Sequence, residues 1–353
     1  MTEAYPPERR GWAIGIWMGV GALSGALGPF VGGALVEGIG WHWIFWINVP
    51  IGVALIPIAL ARVGESRGGH PRLDLVGVAL ATAGLFGITW GIVHTDVAAW
   101  TSAGVLAPIA AGLATMGAFA AWERRVAQPM LPLSMFGDVG FSAANGISFA
   151  LYAGLFGALF LMSQFFQTAQ GASPLRAGAE LLAWSATGIF VAPQAGRLAD
   201  RFGNRPFILG GLAMQTIGLG GVALLADPEA PFLALAPLLV VAGSGTALAF
   251  TTVANEVMAS VPPERTGIAS GINSALRELG GVFGVAVLAS VFAHAGGYST
   301  AAEFVAGFRP ALWVAVAFSA CGLGPALLLR RGLGPDGEDG ATTSDPVTEG
   351  TSP

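Results

Sequence analysis

Apolar stretches of about 20 residues recur along the whole chain, and each is long enough to cross a hydrocarbon core of roughly 30 Å as a helix. Only 10% of the 353 residues are charged and 54% are hydrophobic, whereas soluble domains carry about 25% charged residues. The 53 glycines suit helices that pack closely in lipid through small residues. The sequence therefore predicts an all-α polytopic membrane protein.

The apolar pattern predicts ten membrane spans. They cover residues 12–36, 43–62, 75–94, 102–122, 141–167, 178–196, 206–226, 233–258, 267–293 and 311–329. All sixteen basic residues are Arg. With a cytoplasmic N-terminus, thirteen of them fall inside, Arg176 and Arg309 fall outside, and Arg277 falls within a span. This asymmetry follows the positive-inside rule, so we predict cytoplasmic termini at both ends and a plasma or inner membrane location.

The sequence carries no signature of enzyme chemistry. It lacks HExxH, GxSxG, a P-loop and any Cys/His cluster, so we expect no cofactor, no metal and no nucleic-acid partner. Without a nucleotide site, an ion gradient has to supply the energy for any transport. The single cysteine, Cys321, leaves no internal disulfide. The acidic segment 332–353 is poor in apolar residues, which predicts disorder.

One short stretch occurs twice. PPERRGWAIGIWMG at 6–19 returns as PPERTGIASGINSA at 262–275. The second copy lies between two apolar segments, where we expect a short loop followed by a helix. Chance agreement between stretches rich in Pro and Gly is one explanation. We favour a true repeat, because parallel repeats relate the two halves of one large class of transporters.

Four motifs resemble one family. GALSGALGPFVGGAL in the first span resembles the antiporter motif on the fifth helix of the major facilitator superfamily. GWHWIFWINVPIG, which follows it, is similar to the entry of the sixth helix in the fourteen-helix drug:proton antiporter branch. WERRVAQPMLPLSMF and GRLADRFGNRP resemble the same branch, the latter as the second copy of its cytoplasmic motif A. The resemblance covers the chain from residue 6 to about 330.

The resemblance also implies a division of the chain. In that family the PPERRG loop joins helices four and five, so the first four helices are expected to be missing here. Residues 1–64 would be the remainder of an N-terminal bundle, and 65–126 two extra central helices. Residues 127–331 would be a complete six-helix C-terminal bundle, followed by the tail 332–353.

The function implied by the resemblance is proton-coupled efflux of drugs or other amphipathic, cationic small molecules by alternating access. Its partners would be the substrate, protons and the lipid bilayer. Similar proteins place key carboxylates on the first helix, which the resemblance implies to be missing here. Two alternatives therefore stay open: a non-transporting remnant that partners an intact homologue, and an exporter of a lipid or an endogenous metabolite.

The antiporter motif has a regular spacing. Steps of four, three and four place Gly21, Gly25, Gly28 and Gly32 on one helical face, where another helix can approach closely. Pro29 removes an intrahelical hydrogen bond and predicts a kink. By resemblance this helix packs against the other half of the transporter. Its bend is expected to support coupled exchange and not leakage through the protein. The residues carried over are Gly25, Gly28, Pro29, Gly32 and Gly33.

The polar stretch GRLADRFGNRP at 196–206 predicts a tight loop. Asp200 can pair with Arg201 or Arg205, or cap the next helix. By resemblance the loop latches neighbouring helices and rearranges during transport. A solvated loop without that role stays open, since an exposed ion pair contributes at most about 1 kcal/mol. The candidate gating residues are Gly196, Asp200, Arg201, Gly203 and Arg205.

Arg277 and Glu278 are charged residues inside a predicted span. Arg277 lies ten residues beyond Gly267, about 15 Å into the helix. A charge at that depth costs at least about 2.5–3.5 kcal/mol on insertion scales, so it should face the bundle interior or a wet cavity. Either the two charges form a structural brace, or Glu278 binds a proton or a cation while Arg277 tunes it.

Other polar residues extend this candidate site. Ser270, Asn273, Arg277 and Gly281 share one helical face through i+3 and i+4 spacing. Residues in other spans are candidates for the same cavity or for bridging between helices. They are Asn145, Gln164 and Asn48.

Overall fold

A computed structural model describes residues 24, 27–62, 74–94, 100–126, 129 and 131–329. These residues form helices joined by turns, without a β-strand among them. Eight helical segments of the described chain are long and apolar enough to cross a membrane, and they confirm the predicted all-α polytopic class. They cover Trp43–Ala61, Leu75–Val93, Ala103–Glu123, Val139–Ala169, Asn204–Leu225, Phe232–Ala259, Thr266–Ala295 and Ala301–Leu328.

We number the helices in chain order. Helix α1 covers 27–38. The next four helices are α2 Trp43–Trp46, α3 Asn48–Arg62, α4 Leu75–Val93 and α5 Ala103–Glu123. The remaining helices are α6 Val139–Gln164, α7 Pro174–Ser185, α8 Thr187–Phe202, α9 Asn204–Leu225, α10 Phe232–Ala259, α11 Thr266–Ala295, α12 Ala301–Cys321 and α13 Leu323–Leu328. A π-helical turn, Phe165–Ala169, extends α6, and a 3-10 turn, Pro263–Arg265, precedes α11, as expected for the second PPER stretch.

Some predicted spans differ from the observed helices, and other predictions lie outside the described residues. The span 178–196 is two helices, α7 and α8, separated at Ala186. The Thr187 hydroxyl donates to the Trp184 carbonyl at 2.6 Å, and such back-bonding bends helices. Most of the span 12–36, the first PPER stretch at 6–19 and the tail 332–353 lie outside the described residues.

The last span begins earlier than predicted. Helix α12 starts at Ala301, with the Thr300 hydroxyl accepting from the Glu303 amide at 3.1 Å. Arg309 therefore lies inside a helix. Its guanidinium donates twice to the carbonyl of Ala226, at 2.6 and 2.9 Å, where α9 ends. A cation at a helix C-terminus satisfies an orphan carbonyl and the helix dipole, which explains why a charged residue is tolerated there.

Close helix contacts set the frame of the main bundle. Helices α6 and α11 meet through glycines: a side chain at Gly284 would collide with the backbone of Ala153, and one at Gly280 with that of Phe149. Such small-residue contacts bring two backbones together in lipid. A buried aromatic cluster anchors α12 to the end of α6, with the Phe165 and Phe308 rings stacked at 4.8 Å.

Helices α4 and α5 form a hairpin that is attached to this bundle. Asp74 caps α4 by accepting from the Gly77 amide at 2.9 Å. The same carboxylate accepts from the Trp122 indole at 3.0 and 3.1 Å, which ties the two helices together at that end. At the other end, the Trp100 indole donates to the Ser290 hydroxyl of α11 at 2.5 Å. The hairpin is thereby held beside α11.

Candidate functional site

A cavity of about 640 Å³ lies along α6 and α11 and borders the end of α4. Its walls are mostly aliphatic and aromatic, and they include the carboxylate of Glu278 and the phenol of Tyr298. The lining residues are Val93, Phe156, Phe160, Leu161, Glu278, Gly281, Val282, Val285, Ala286, Ala289, Phe292, Ala293 and Tyr298. This volume is within the range of small-molecule sites, about 300–1,000 Å³.

Glu278 and Arg277 face different surroundings. The Glu278 side chain is exposed and borders the cavity. Among the described residues, no ion pair joins Glu278 to Arg277. With 3.6 residues per turn, neighbours on a helix point in directions about 100° apart. The predicted pair is thus present on one helix, but the two charges do not neutralise each other.

Arg277 lies over two aromatic rings. Its guanidinium carbon is 5.2 Å from the ring centre of Tyr152 in α6 and 5.3 Å from that of Phe250 in α10. One terminal nitrogen donates to the Ser274 hydroxyl at 3.2 Å. The Nε atom is buried and has no hydrogen-bond partner in the part of the chain that the structure describes. Cation–π attraction is therefore the main interaction that holds this charge between helices.

The polar face predicted on α11 does turn towards α6, but Asn273 lies in the interface and not in the cavity. Asn273 and Asn145 are only 4% and 1% exposed. The Asn273 amide donates to the Asn145 side-chain oxygen at 3.1 Å and to the Ser148 hydroxyl at 2.7 Å. Asn145 in turn donates to the Phe141 carbonyl at 2.9 Å. These satisfied groups brace two helices, and they do not line the cavity.

Gln164 and Asn48 have separate surroundings. Gln164, at the end of α6, accepts a hydrogen bond from the hydroxyl of Tyr298 at 2.7 Å, so it lies at one end of the cavity that Tyr298 lines. Asn48 is exposed and donates to the Ile44 carbonyl of its own segment at 3.0 Å. Neither Asn48 nor Gln164 lines the cavity.

Tyr298 lies in the turn between α11 and α12, beyond the membrane-spanning segments. Its ring packs against Phe292 at 5.0 Å and Phe304 at 5.8 Å. Partial burial raises the pKa of the Tyr298 phenol above its ordinary value, so the phenol stays protonated and can donate at neutral pH. Tyr298 therefore joins the cavity wall to Gln164.

The antiporter motif packs through a different face from the predicted one. A side chain at Gly33 would collide with the backbone of Pro174, and one at Gly178 would collide with the carbonyl of Pro29. By contrast, a Cβ at Gly28 or Gly32 would meet nothing within 4 Å. The contact face of α1 is therefore Pro29–Gly33 and not Gly28–Gly32.

A polar contact extends this junction of α1 with α7. The Glu37 carboxylate accepts from the Leu175 amide at 3.0 Å. Hydrogen bonds from the Ser173 hydroxyl and from this amide lower the pKa of Glu37. The helix of the antiporter motif thus contacts the later part of the chain, as the resemblance implied. Gly21 and Gly25 lie outside the described residues.

The predicted loop at 196–206 is mainly helical. Residues up to Phe202 belong to α8, and Asn204 begins α9. Only Gly203 is non-helical, with φ +82°, a conformation that glycine adopts without strain. The amphipathic end of α8 and the start of α9 contain the polar residues, so the expectation of a loop was wrong except at Gly203. A Cβ added at Gly196 would meet nothing within 4 Å.

The charges of this segment also differ from expectation. Among the described residues, no ion pair joins Asp200 to Arg201 or Arg205, and no side chain caps α9. Instead the Asn204 amide donates to the Glu256 carboxylate of α10 at 2.9 Å. Glu256 is distant in sequence, and no spacing rule pointed to it.

Sequence reasoning also missed the aromatic wall of the site. Tyr152, Phe156 and Phe160 follow one another at i+4 on α6, and this spacing places them on one face. That pattern could have been found from the sequence. The partner Phe250 could not, because only the packing of α10 brings it to Tyr152, with their ring centres 6.1 Å apart. In the described part of the chain, no group of three or more potential metal ligands comes together.

Comparison with known proteins places these features in a family. The model of the Major Facilitator Superfamily matches residues 1–284 and again residues 144–349. The chain is 33% identical over 295 residues to the multidrug resistance protein Stp of Mycobacterium tuberculosis. This alignment covers 83% of this chain and 55% of Stp.

Two further relatives have similar coverage. The tetracenomycin C resistance and export protein of Streptomyces glaucescens is 31% identical over 296 residues, 83% of this chain and 55% of the relative. The drug efflux pump JefA of Mycobacterium tuberculosis is 31% identical over 297 residues, 83% of this chain and 58% of the relative. The chain spans about half the length of these relatives. With its membrane-spanning helices and its match to a family of transporters, not enzymes, the chain is a multi-pass membrane protein that belongs to the Major Facilitator Superfamily.

Proposed function

We propose that this chain acts in drug efflux, and that it binds amphipathic organic cations and exports them in exchange for protons. The observation that carries the proposal is the unneutralised carboxylate of Glu278 beside an apolar and aromatic cavity. An organic cation needs both parts, because its apolar surface leaves water while its charge requires a counter-charge. The printed names of the relatives, which refer to drug resistance, export and efflux, support the same conclusion.

Proton coupling follows from competition at one group. Ionised Glu278 attracts the cation, and protonated Glu278 releases it. A proton and a cation that exclude each other at one carboxylate are exchanged when the cavity opens alternately to the two sides of the membrane. Ionisable groups within spanning segments commonly mark such pathways. Phe156 and Phe160 would supply the apolar surface for the substrate.

Three junctions are proposed to move during alternating access. The contact of α1 with α7, at Pro29 and Gly178, would be the pivot between the two bundles. The α8–α9 turn at Gly203, with the bond of Asn204 to Glu256, would serve as the gating segment. The bond between Tyr298 and Gln164 would close one end of the cavity and break when that end opens.

We also infer that this chain corresponds to helices five to fourteen of the fourteen-helix branch. Helices α4 and α5 would then be the extra central hairpin, and α6–α13 the C-terminal bundle, in a plasma or inner membrane with both termini in the cytoplasm. The order of the motifs and the coverage of the relatives support this inference. An intact homologue is the partner proposed for the open Gly28–Gly32 face of α1.

The test uses the full chain in proteoliposomes loaded with a fluorescent organic cation. We expect a pH gradient to drive release of the cation, and Glu278→Gln to abolish that release. Glu229→Gln, in the exposed turn between α9 and α10, is the matched control and should behave as wild type. Equal release from Glu278→Gln and wild type would contradict the role of this carboxylate. A wild-type chain without gradient-driven release would contradict efflux by the chain alone.

A further inference from the structure

The aromatic face of α6 runs beyond the cavity. Phe156 and Phe160 line the cavity, and Tyr152 continues the same face one turn earlier, with its ring centre 5.5 Å from that of Phe156. Phe250 of α10 adds a further ring at 6.1 Å from Tyr152. A continuous aromatic surface therefore leads from the cavity to Arg277.

Arg277 sits nearly equidistant from two ring centres. The guanidinium carbon lies over both rings, 5.2 Å from the centre of Tyr152 and 5.3 Å from that of Phe250, and the two ring planes are tilted by 41°. Both distances are within the roughly 6 Å at which the face of a ring attracts a cation. Tyr152 and Phe250, which we call the ring pair, thus already hold a positive charge.

The guanidinium lacks the full set of polar partners that a buried structural charge normally has. A charge buried for structural reasons is normally paired and hydrogen-bonded across an interface. Here one terminal nitrogen of Arg277 donates to Ser274 of its own helix, its contact with α6 is with the ring and the hydroxyl of Tyr152 alone, and its Nε atom has no acceptor in the described part of the chain. The bracing of α11 to α6 is done by Asn273 instead. A long, flexible side chain held mainly by ring faces can leave without a shift of its helix.

We propose that the ring pair is a second site for organic cations, and that Arg277 occupies it as an internal competitor of the substrate. The inference deepens the proposed function, because it names a group that a cationic substrate meets beyond Glu278. A quaternary phosphonium or ammonium ion makes the same contact with ring faces as the guanidinium does. The substrate gains the site only when Arg277 leaves it, so Arg277 lowers the affinity of the site.

The test measures equilibrium binding of tetraphenylphosphonium to the full chain in lipid nanodiscs without a pH gradient. We expect Arg277→Ala to bind this cation more tightly by about 2- to 30-fold, the range that cation–π contacts span. Arg277→Lys keeps a competing cation and should bind as wild type does. The double variants Arg277→Ala/Tyr152→Leu and Arg277→Ala/Phe250→Leu should lose the gain.

The double variants separate the ring pair from simple charge repulsion. Loss of repulsion alone would give tighter binding that persists without Tyr152, and this result would overturn the proposal. An unchanged or weaker affinity in Arg277→Ala would overturn it as well. Tetraphenylborate has the same shape with the opposite charge, and Arg277→Ala should not increase its affinity. If Arg277→Ala does not fold, Arg277→Gln vacates the rings while it keeps more of the stem, and the same pattern is expected.

Binding without a gradient also keeps this inference distinct from the proposed function. A chain that binds the cation as described but does not release it under a pH gradient would contradict efflux and support the ring-pair site. Release that depends on Glu278, together with no effect of Arg277→Ala on binding, would support efflux and contradict the ring-pair site.

Discussion

Gly178 of α7 leaves no room for a side chain beside the carbonyl of Pro29 in α1. The contact is reciprocal, because Gly33 of α1 lies equally close to the backbone of Pro174. Two glycines on two helices thus bring the backbones together, and Glu37 adds a hydrogen bond to the Leu175 amide at 3.0 Å. This is the junction between the helix of the antiporter motif and the later part of the chain.

The first prediction compares two adjacent glycines of α1. Gly33→Ala should destabilise the protein by about 1–3 kcal/mol, the usual effect of overpacking, because the new methyl group collides with Pro174. Gly32→Ala is the matched control, since a Cβ there meets nothing within 4 Å. Thermal unfolding of the full chain in nanodiscs measures both. Equal melting temperatures for the two variants would show that the Gly33 contact does not form.

The second prediction concerns the pH dependence of the same junction. Glu37 lies beyond the predicted span 12–36, and its pKa is lowered from the ordinary 4.5 by the Ser173 hydroxyl and the Leu175 amide. A lowered folded-state pKa contributes stability that is present above the unfolded-state pKa and lost as the pH falls through the folded-state value.

The measurement is the difference in melting temperature between wild type and Glu37→Gln as a function of pH. The difference should be constant from neutral pH to about pH 5 and should disappear in stronger acid, below 4.5. If the difference in melting temperature persisted unchanged at the lowest pH, its cause would be lost packing and not the charge of the carboxylate.

The junction also illustrates what the sequence could predict. The length and apolarity of the segments predicted most of the helices, because a helix of about 20 apolar residues crosses the membrane with all its backbone hydrogen bonds made within the segment. The glycine spacing predicted that α1 packs closely on another helix. It could not select Gly33 over Gly32, because both lie on a glycine-rich surface and the neighbour is 140 residues away in sequence.

The candidate site was predictable to a similar degree. The depth of Arg277 and Glu278 in an apolar segment indicated that they face protein or a cavity, and the polar face of α11 does lie against α6. Their partners were not predictable, because Asn145 and Phe250 come to α11 only through tertiary packing. The loop predicted at 196–206 is wrong, since polarity alone does not distinguish a loop from an amphipathic helix end.

The third prediction concerns the brace between α6 and α11. Asn273→Leu should destabilise the protein by about 1–3 kcal/mol, because the buried side-chain oxygen of Asn145 loses its donor. Replacing both residues by Leu should cost less than the sum of the two single changes, since no orphan amide then remains. Asn48→Leu, at an exposed position, serves as the control. Additive single changes in thermal or urea unfolding would argue against a direct bond.

The last prediction concerns the end of the cavity at Tyr298. Gln164→Leu removes the acceptor of the 2.7 Å hydrogen bond from the Tyr298 hydroxyl, and the net loss should be about 0.5–1.5 kcal/mol. The turn between α11 and α12 should then open more often, so a cysteine placed at Ala289 in the cavity wall should react faster with a polar maleimide in a Cys321→Ser background. Gln167→Leu is the matched control, because within the described part of the chain Gln167 bonds to Ser163 of its own helix and to no other residue. Because burial raises the pKa of Tyr298 above 10.0, the wild-type phenol remains a donor at neutral pH and its bond should not weaken there. Equal labelling rates in the Gln164 and Gln167 variants would mean that this bond does not control access to the cavity.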